Sequence, residues 1–567
     1  MKCLFIIACL ISFTLSAQPV SKEFQTKKVF FYYDKNQTKV QSSGYYYKDL
    51  LGETTDEHGK WQYFDETGKL VEERNYYRGK LNGEVKAMYS NGKMKQIGYF
   101  KKGVQDSVSR EWFENGKLKS EGFYRNNQPN GMWTEYYLTG EKKERAEYLD
   151  SLVLIWEFWA PDSLHTQLIK DGNGEYLVFY TTGALKEKYT YKNGYKDGEF
   201  AEYSIYGYPL LKGEFDLGEV NGEWSYYFYT GDIEKVVNYK KGQLHGDYIS
   251  FYDDSIPRTT GTYEYGKKTG NWVWYTNIKT KDMEGKFKDD KQDGRWEYYH
   301  PNGKTSYVAF YKEGLRTGTW NYYYEDGSKF KIGTYANDLK NGKWETWYED
   351  GTLLMSGDYV NGKEEGEWLN YWETGELKNK STFKAGMLHG PWISNYPNGK
   401  QKLTGTYKDG LKTGEWIDYF ENGKPKDVGT YKVVKKKTKI EYGILKDYES
   451  LESVKDGPWV SYSQKDYKKI EEGEYKDGEK DGVWYAYWPG GKVPSIEYHY
   501  KEGKLEGKTT EYDRRGDIIS ECDYKNGLKH GKMKIYDKKG KVIKEMDFEY
   551  GLQVIKTEGS EIQFTPR

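Results

Sequence analysis

An all-β fold, drawn out as an elongated single-layer antiparallel sheet of about twenty tandem 24-residue β-hairpins, is what this 567-residue chain predicts. Three observations carry that prediction. A glycine returns every 24 residues, aromatic residues are locked to fixed phases of the same period, and Asn-Gly or Asp-Gly pairs punctuate it.

The period is read first, because a missed repeat misassigns the whole fold. Gly174, Gly198, Gly222, Gly246, Gly270, Gly294, Gly318, Gly342, Gly366, Gly390 and Gly414 follow one another at intervals of 24. Gly59, Gly83, Ser107 and Gly131 keep the same spacing, and further units begin at Gly457, Gly482, Gly507 and Gly531. Two residues after the start stand Trp61, Trp133, Trp156, Trp224, Trp272, Trp296, Trp320, Trp344, Trp368, Trp392, Trp416, Trp459 and Trp484, thirteen of the 19 tryptophans in one phase. Seventeen residues after the start comes a second aromatic row that includes Tyr335, Tyr359 and Tyr407. The candidate core is these two rows.

The unit from Gly342 to Gly362 shows why it reads as a hairpin. Trp344 to Tyr348 is a short aromatic strand, Asp350-Gly351 supplies positive φ angles for a tight turn, and a second strand runs through Gly357 to Tyr359. Asn361-Gly362 then turns into the next unit. A helix is excluded, since glycine occurs about every nine residues and no apolar stripe of period 3.6 is sustained. Adjacent rings such as Tyr322-Tyr323-Tyr324 break strict alternation, so either both faces carry rings or a bulge shifts the register. Each hairpin is marginal alone and is stabilised by its neighbours.

Composition agrees. Hydrophobic residues are only 36% and mean hydropathy is −0.99, thin for several compact cores, yet aromatics reach 18%, which disordered chains lack. Lys+Arg number 87 against 88 Asp+Glu, finely interspersed, so the charges read as solvated faces and nucleic acid is not an expected partner.

In chain order, residues 1–17 read as a signal peptide: Met1-Lys2, an apolar run from Cys3 to Leu15, then Ser16-Ala17 before a cut. The protein is therefore expected in the periplasm, at the cell surface or secreted. A lipoprotein signal at Ile6-Ile7-Ala8-Cys9 is the alternative. Residues 18–58 form a degenerate capping hairpin, 59–153 are repeats, and 154–173, with Pro161, are an irregular unit able to kink the sheet. The regular repeats are 174–431. From Gly414 to Gly457 the interval is 43 rather than 24, so residues 432–456 are an insertion that lengthens either a hairpin or its turn. Repeats resume over 457–551 and a tail covers 552–567. Cys3 and Cys9 belong to the leader, which leaves Cys522 alone and allows no internal disulfide.

No catalytic, cofactor or metal site is expected. His245, His389 and His530 share one phase, each before the glycine that opens a unit, and sit far apart. No nucleophile elbow, P-loop or paired carboxylate occurs. The expectation is a non-enzymatic scaffold that binds a protein or another envelope macromolecule. The alternative is a cell-surface glycan-binding module using exposed aromatic ladders, with a membrane surface as a further partner.

The pattern Gly-x-Trp-x-x-Tyr-Tyr-x-x-Gly-Lys … Gly-x-Tyr-x-x-Gly resembles the MORN-repeat-variant family over residues 59–551, and within it the YwqK-like antitoxin-component proteins. The resemblance implies tandem hairpins in an extended antiparallel sheet, binding of proteins or membranes, and no catalytic site. A leader departs from what a cytoplasmic antitoxin needs.

Overall fold

The computed structural model describes residues 24–439, 447–556 and 562–565. The leader expected at 1–17 and the insertion's residues 440–446 lie outside the described residues. The chain divides into two units, Met1–Lys268 and Thr269–Arg567. Within each, the described strands are antiparallel and pair with their neighbours in sequence; among the described residues there is no α-helix.

Two different turns alternate along the chain, and each follows from its residues. Between strands Leu315–Tyr323 and Lys329–Ala336 the Gly327 N–H donates to the Tyr324 carbonyl, and the Tyr324 N–H to Ser328 O. That is a three-residue loop, a type I turn closed by a glycine bulge. Only the glycine has positive φ there (Gly327, 93°; Gly351, 87°), while Asp326 and Asp350 do not. The expectation that both residues of the pair take positive φ is therefore corrected at this turn. Aspartate and asparagine occupy it because their side chains accept the N–H two residues on, as Asp350 does from Thr352 at 2.8 Å and Asn302 from Lys304 at 2.9 Å. The turn into the next unit is the one that needs two positive φ angles. Glu313 and Gly314 (52° and 87°) and Asn361 and Gly362 (48° and 83°) form two-residue loops of type I′. Glycine in the second place makes the geometry cheap enough that Leu217, Tyr265 and Ala385 are held in the first.

A bulge opens most of the regular units. Ile332 pairs with Glu345 and Tyr335 with Lys340, so four residues of one strand face two of its neighbour. The surplus is taken up at Gly342, whose φ is 74°. A second register shift falls between Tyr322 and Tyr323, so adjacent tyrosines are re-aimed by a bulge.

In the first unit, strand Gly52–Phe64 runs through the boundary at 58/59, and Val29–Tyr32 pairs with Val40–Asp49 as an edge. In the irregular segment Ala146 pairs with Ile155, and the register shifts after it. Trp156 is thereby displaced from the row its phase assigns it and donates instead to Glu147 at 3.0 Å. Ile155, Phe158 and Ile169 fill the core there with Ala146 and Tyr191.

In the second unit the insertion lengthens a hairpin. Strands Pro425–Lys439 and Asp447–Tyr462 stay in register from Lys432–Val454 out to Lys439–Asp447. Lys432 anchors its base, 2.8 Å from Asp456 and 2.9 Å from Asp477 of the next turn. The tail adds strands Leu552–Lys556 and Ile562–Thr565, which pair with each other.

Candidate functional site

A single-layer sheet has no second layer to cover its rings, so the first question is where the tryptophans go. Many of them lie flat on a glycine. A Cβ placed on Gly333 would sit 2.2 Å from the ring of Trp344, and Gly357 and Trp368, Gly405 and Trp416, Gly213 and Trp224, and Gly285 and Trp296 repeat the relation. In these pairs the glycine is eleven residues before the tryptophan, on the preceding strand; under Trp61 and Trp459 it is Gly44 and Gly429, where the hairpin between is longer. The indole N–H donates across the bulge, from Trp344 to Thr334 O at 3.2 Å and from Trp296 to Lys286 O at 3.1 Å. Tyrosines or phenylalanines of the second row stand edge-on between successive indoles, as in Tyr335–Trp344 (5.2 Å, 87°), Tyr359–Trp368 (5.0 Å, 88°) and Tyr407–Trp416 (5.0 Å, 84°).

Lysines close the rings from above. Lys340 Nζ is 4.5 Å from the Trp344 ring centre, Lys412 is 4.3 Å from that of Trp416 and Lys455 is 3.8 Å from that of Trp459. Burial holds the Lys412 and Lys455 ammonium groups below the usual lysine range. These charges are part of the packing, not solvated decoration, which the even charge pattern of the sequence hid.

Of the candidate aromatics, Trp224, Trp272, Trp296, Trp320, Trp344, Trp368 and Trp416 are buried, as is Tyr335. Trp392, Tyr359 and Tyr407 are half-buried. Trp296, Trp320, Trp344 and Tyr335 belong to one cluster that Tyr359 packs against, and Trp224 belongs to another with Phe200 and Val237. The buried indoles are taken up by packing, whereas Trp392 keeps part of its surface in solvent. Sequence reasoning missed the glycine seats, although their fixed spacing from tryptophan was available as a signal.

The exposed features are at the turns. At the three-residue turns each unit reaches the next: Tyr324 donates to Trp347 O at 2.7 Å, Tyr348 to Tyr371 O at 3.0 Å and Tyr396 to Tyr419 O at 2.7 Å. His300 contacts Tyr323 O at 3.0 Å in the same relation, and asparagines such as Asn302 donate to the next turn. The tips are mostly polar: Glu325-Asp326, Glu349-Asp350 and Glu421-Asn422. Single exposed apolar residues stand at some tips, such as Leu138, Leu164 and Ile278, and one stretch of the first unit carries several, most of them aromatic. There the tips carry Ile205, Tyr206 and Tyr208, then Tyr229, with Tyr206 85% and Tyr229 84% exposed. Tyr208 lies against Gly231 of the following turn, so the two tips adjoin.

Two further features lie in the first unit. The Tyr176 hydroxyl donates to Glu144, whose carboxyl is raised by burial beneath Tyr176 and Phe158, rings 4.0 Å apart. A shallow cavity of about 400 Å³ near the N-terminal edge is lined by Lys28, Phe30, Thr38, Val40, Phe64 and Glu66 among others. Among the described residues, no group of three or more His, Cys, Asp or Glu could hold a metal ion. Among the same residues, no helix is long and apolar enough to cross a membrane.

No curated relative matches the chain. Solved structures with some likeness include that of TcdB2-TccC3-Cdc42 (8% identity, 91% of this chain and 30% of that one, TM-score 0.13). The structure of TcdB2-TccC3 is similar at 10% identity, 87% and 30% coverage and TM-score 0.12. The Photorhabdus luminescens Tc holotoxin pore follows at 10%, 87% and 29%, TM-score 0.13. The chain spans about 30% of the length of those chains, and at such scores nothing about it follows from the likeness. The MORN repeat variant matches residues 57–76, 81–102, 105–126, 173–193, 292–313, 316–337, 340–361, 364–385, 388–409, 412–432, 505–526 and 529–550. The twelve matching segments are spread over both units and cover a little under half of the chain.

Proposed function

We propose that the protein is a non-enzymatic scaffold that binds a protein partner through the aromatic turn tips of its first unit. The observation that carries this is the exposure of Tyr206 and Tyr229, at 85% and 84%, on adjoining tips beside Ile205 and Tyr208. Tyrosine presents a large rigid surface at little conformational cost and is enriched at protein interfaces. An exposed apolar patch framed by polar neighbours is where a soluble surface departs from its usual composition. The tryptophan rows, spent on packing, support the scaffold and leave recognition to the tips.

The partner is a component of the cell envelope, on the strength of the leader at 1–17; mature protein should then begin at Gln18, which N-terminal sequencing tests. Intact Met1 on a cytoplasmic protein would return the reading to an antitoxin of the YwqK-like kind. A lipid on Cys9 would favour the lipoprotein signal. The binding reading is tested by pull-down from envelope extracts beside a panel of cell-wall glycans, with the Tyr206→Ser/Tyr229→Ser variant as control. A protein captured by the parent and lost in the variant supports it. Glycan binding lost in the variant, with no protein captured, replaces it with the glycan-module reading, since the same rings could stack on sugars.

A further inference from the structure

In many units the residue before the opening glycine is a polar side chain with a definite task. It accepts the backbone N–H of the first residue of the following two-residue turn, some twenty positions on. Asn82 accepts from Lys102 (3.2 Å), Asn221 from Lys241 (3.4 Å), Asn341 from Asn361 (3.4 Å) and Glu365 from Ala385 (2.7 Å). Histidine does the same through Nδ1: His245 accepts from Tyr265, His389 from Asp409 and His58 from Arg78, each at 3.4 Å. The shared phase of His245 and His389 thus has a structural cause, which His530, whose Nδ1 has no hydrogen-bond partner, does not share.

His58 differs from the others in its surroundings. It is fully buried, its ring centre 5.0 Å from Tyr47 and 5.3 Å from Tyr77, and Nε2 has no hydrogen-bond partner. Because Nδ1 accepts, the neutral ring carries its proton on Nε2. Protonating Nδ1 would turn an acceptor into a donor aimed at the Arg78 N–H. It would also put a second cation beside the Arg78 guanidinium, which lies 4.2 Å over the Tyr47 ring and bonds its hydroxyl. From the N-terminal segment Phe24 and Gln25, both uncharged, meet Tyr47, and from strand Val40–Asp49 comes Tyr47 itself. Strand Leu70–Tyr77 contributes Tyr77 and leads into Arg78. Asp49 attracts Arg78, Asp56 lies beside Gly79, and Glu57 adjoins His58 in its own strand. None of these three carboxylates is a hydrogen-bond partner of the imidazole.

We propose that His58 is an acid-sensitive latch: neutral, it holds the N-terminal segment and strand Val40–Asp49 against the first repeat, and protonated it releases them. Burial, and secondarily Arg78, hold its affinity for a proton below the usual histidine range. The sign follows. A base depressed in the folded state contributes stability that is fully present above the unfolded value near 6.5 and is lost as pH falls below it. Release would uncover Tyr47 and Trp61, now 4% and 3% exposed.

Hydrogen exchange over residues 40–49 and 70–80, corrected for intrinsic rates, tests this at pH 7.5 and 5.0. The opening equilibrium should rise by up to about 30-fold in the parent, the limit for a group with an unfolded value near 6.5 that stays neutral when folded. His58→Asn, which places there the residue that serves at Asn82, Asn221 and Asn341, should keep the staple and abolish the extra opening. Equal pH dependence in parent and variant overturns the proposal. If the variant fails to hold the hairpin at pH 7.5, the parent's imidazole titration by NMR decides: a midpoint clearly below 6.5 upholds the latch, and one at or above 6.5 overturns it.

Discussion

Trp344 in the second unit and Tyr206 in the first are both aromatic residues of a sheet one layer thick, yet Trp344 is 3% exposed and Tyr206 85%. The difference lies in the neighbouring strand. Trp344 has Gly333 beneath it, Tyr335 and Tyr359 at its edges and Lys340 above it. Tyr206 projects from the tip of a turn, beyond the reach of any strand. A ring becomes core in this architecture only where the adjacent strand leaves a seat for it. Where no seat exists, the ring stays available to a partner.

The comparison is broken most completely by alkali, which acts on the part-buried tyrosines. Burial pushes Tyr137 and Tyr512 up to about 12, and raises Tyr307, Tyr311 and Tyr322 as well. A tyrosine raised in the folded state contributes stability that is complete below the unfolded value near 10 and is lost as pH climbs through the folded one. Lys412 and Lys455, depressed by burial, shift the other way over the same window but are fewer. The melting temperature should therefore fall steeply above pH 10, and a flat profile from pH 9 to 11.5 would show that the tyrosines are not packed as described.

Trp344→Ala comes next, at about 3–5 kcal/mol for a buried aromatic truncation. In a quasi-one-dimensional array the loss should stay local, so hydrogen exchange should quicken over residues 318–389 and not near residue 550. Unchanged protection at 344 together with lost ligand binding would make the ring a platform and not a strut.

Gly333→Val sharpens the idea of a seat. Its Cβ would meet the Trp344 ring at 2.2 Å, and overpacking of this kind costs about 1–3 kcal/mol. Elsewhere a large residue in the seat coincides with a smaller one above it, as with Tyr498 and Thr509. Gly333→Val should thus cost less in a Trp344→Thr background than alone, and strictly additive effects in the double-mutant cycle would refute the volume exchange.

Lys340→Ala removes only the lid, at about 0.5–1 kcal/mol, and the loss should persist in high salt because packing contributes to it. Smallest of all, Tyr206→Ser/Tyr229→Ser should change stability by no more than about 0.5 kcal/mol while abolishing partner capture. A large drop in melting temperature would instead assign those tips to the fold.

Much was legible in the chain. Periodicity gave the hairpins, since glycine before tryptophan and Asn-Gly at the turns are local requirements of backbone and bulge. The family pattern, the two aromatic rows and the length of the insertion follow from the same arithmetic. Three matters required the structure. Which Asn-Gly or Asp-Gly pair needs one positive φ and which needs two depends on how the flanking strands are registered. The fate of Trp156 depends on a register shift that its phase conceals. The pairing of Gly333 with Trp344, the lysine lids and the work of His58, His245 and His389 all arise between consecutive strands. A sequence determines by itself what each residue permits its own backbone to do; which ring lies on which glycine is decided only when two strands are brought side by side, because that is where volume and hydrogen-bond partners are shared.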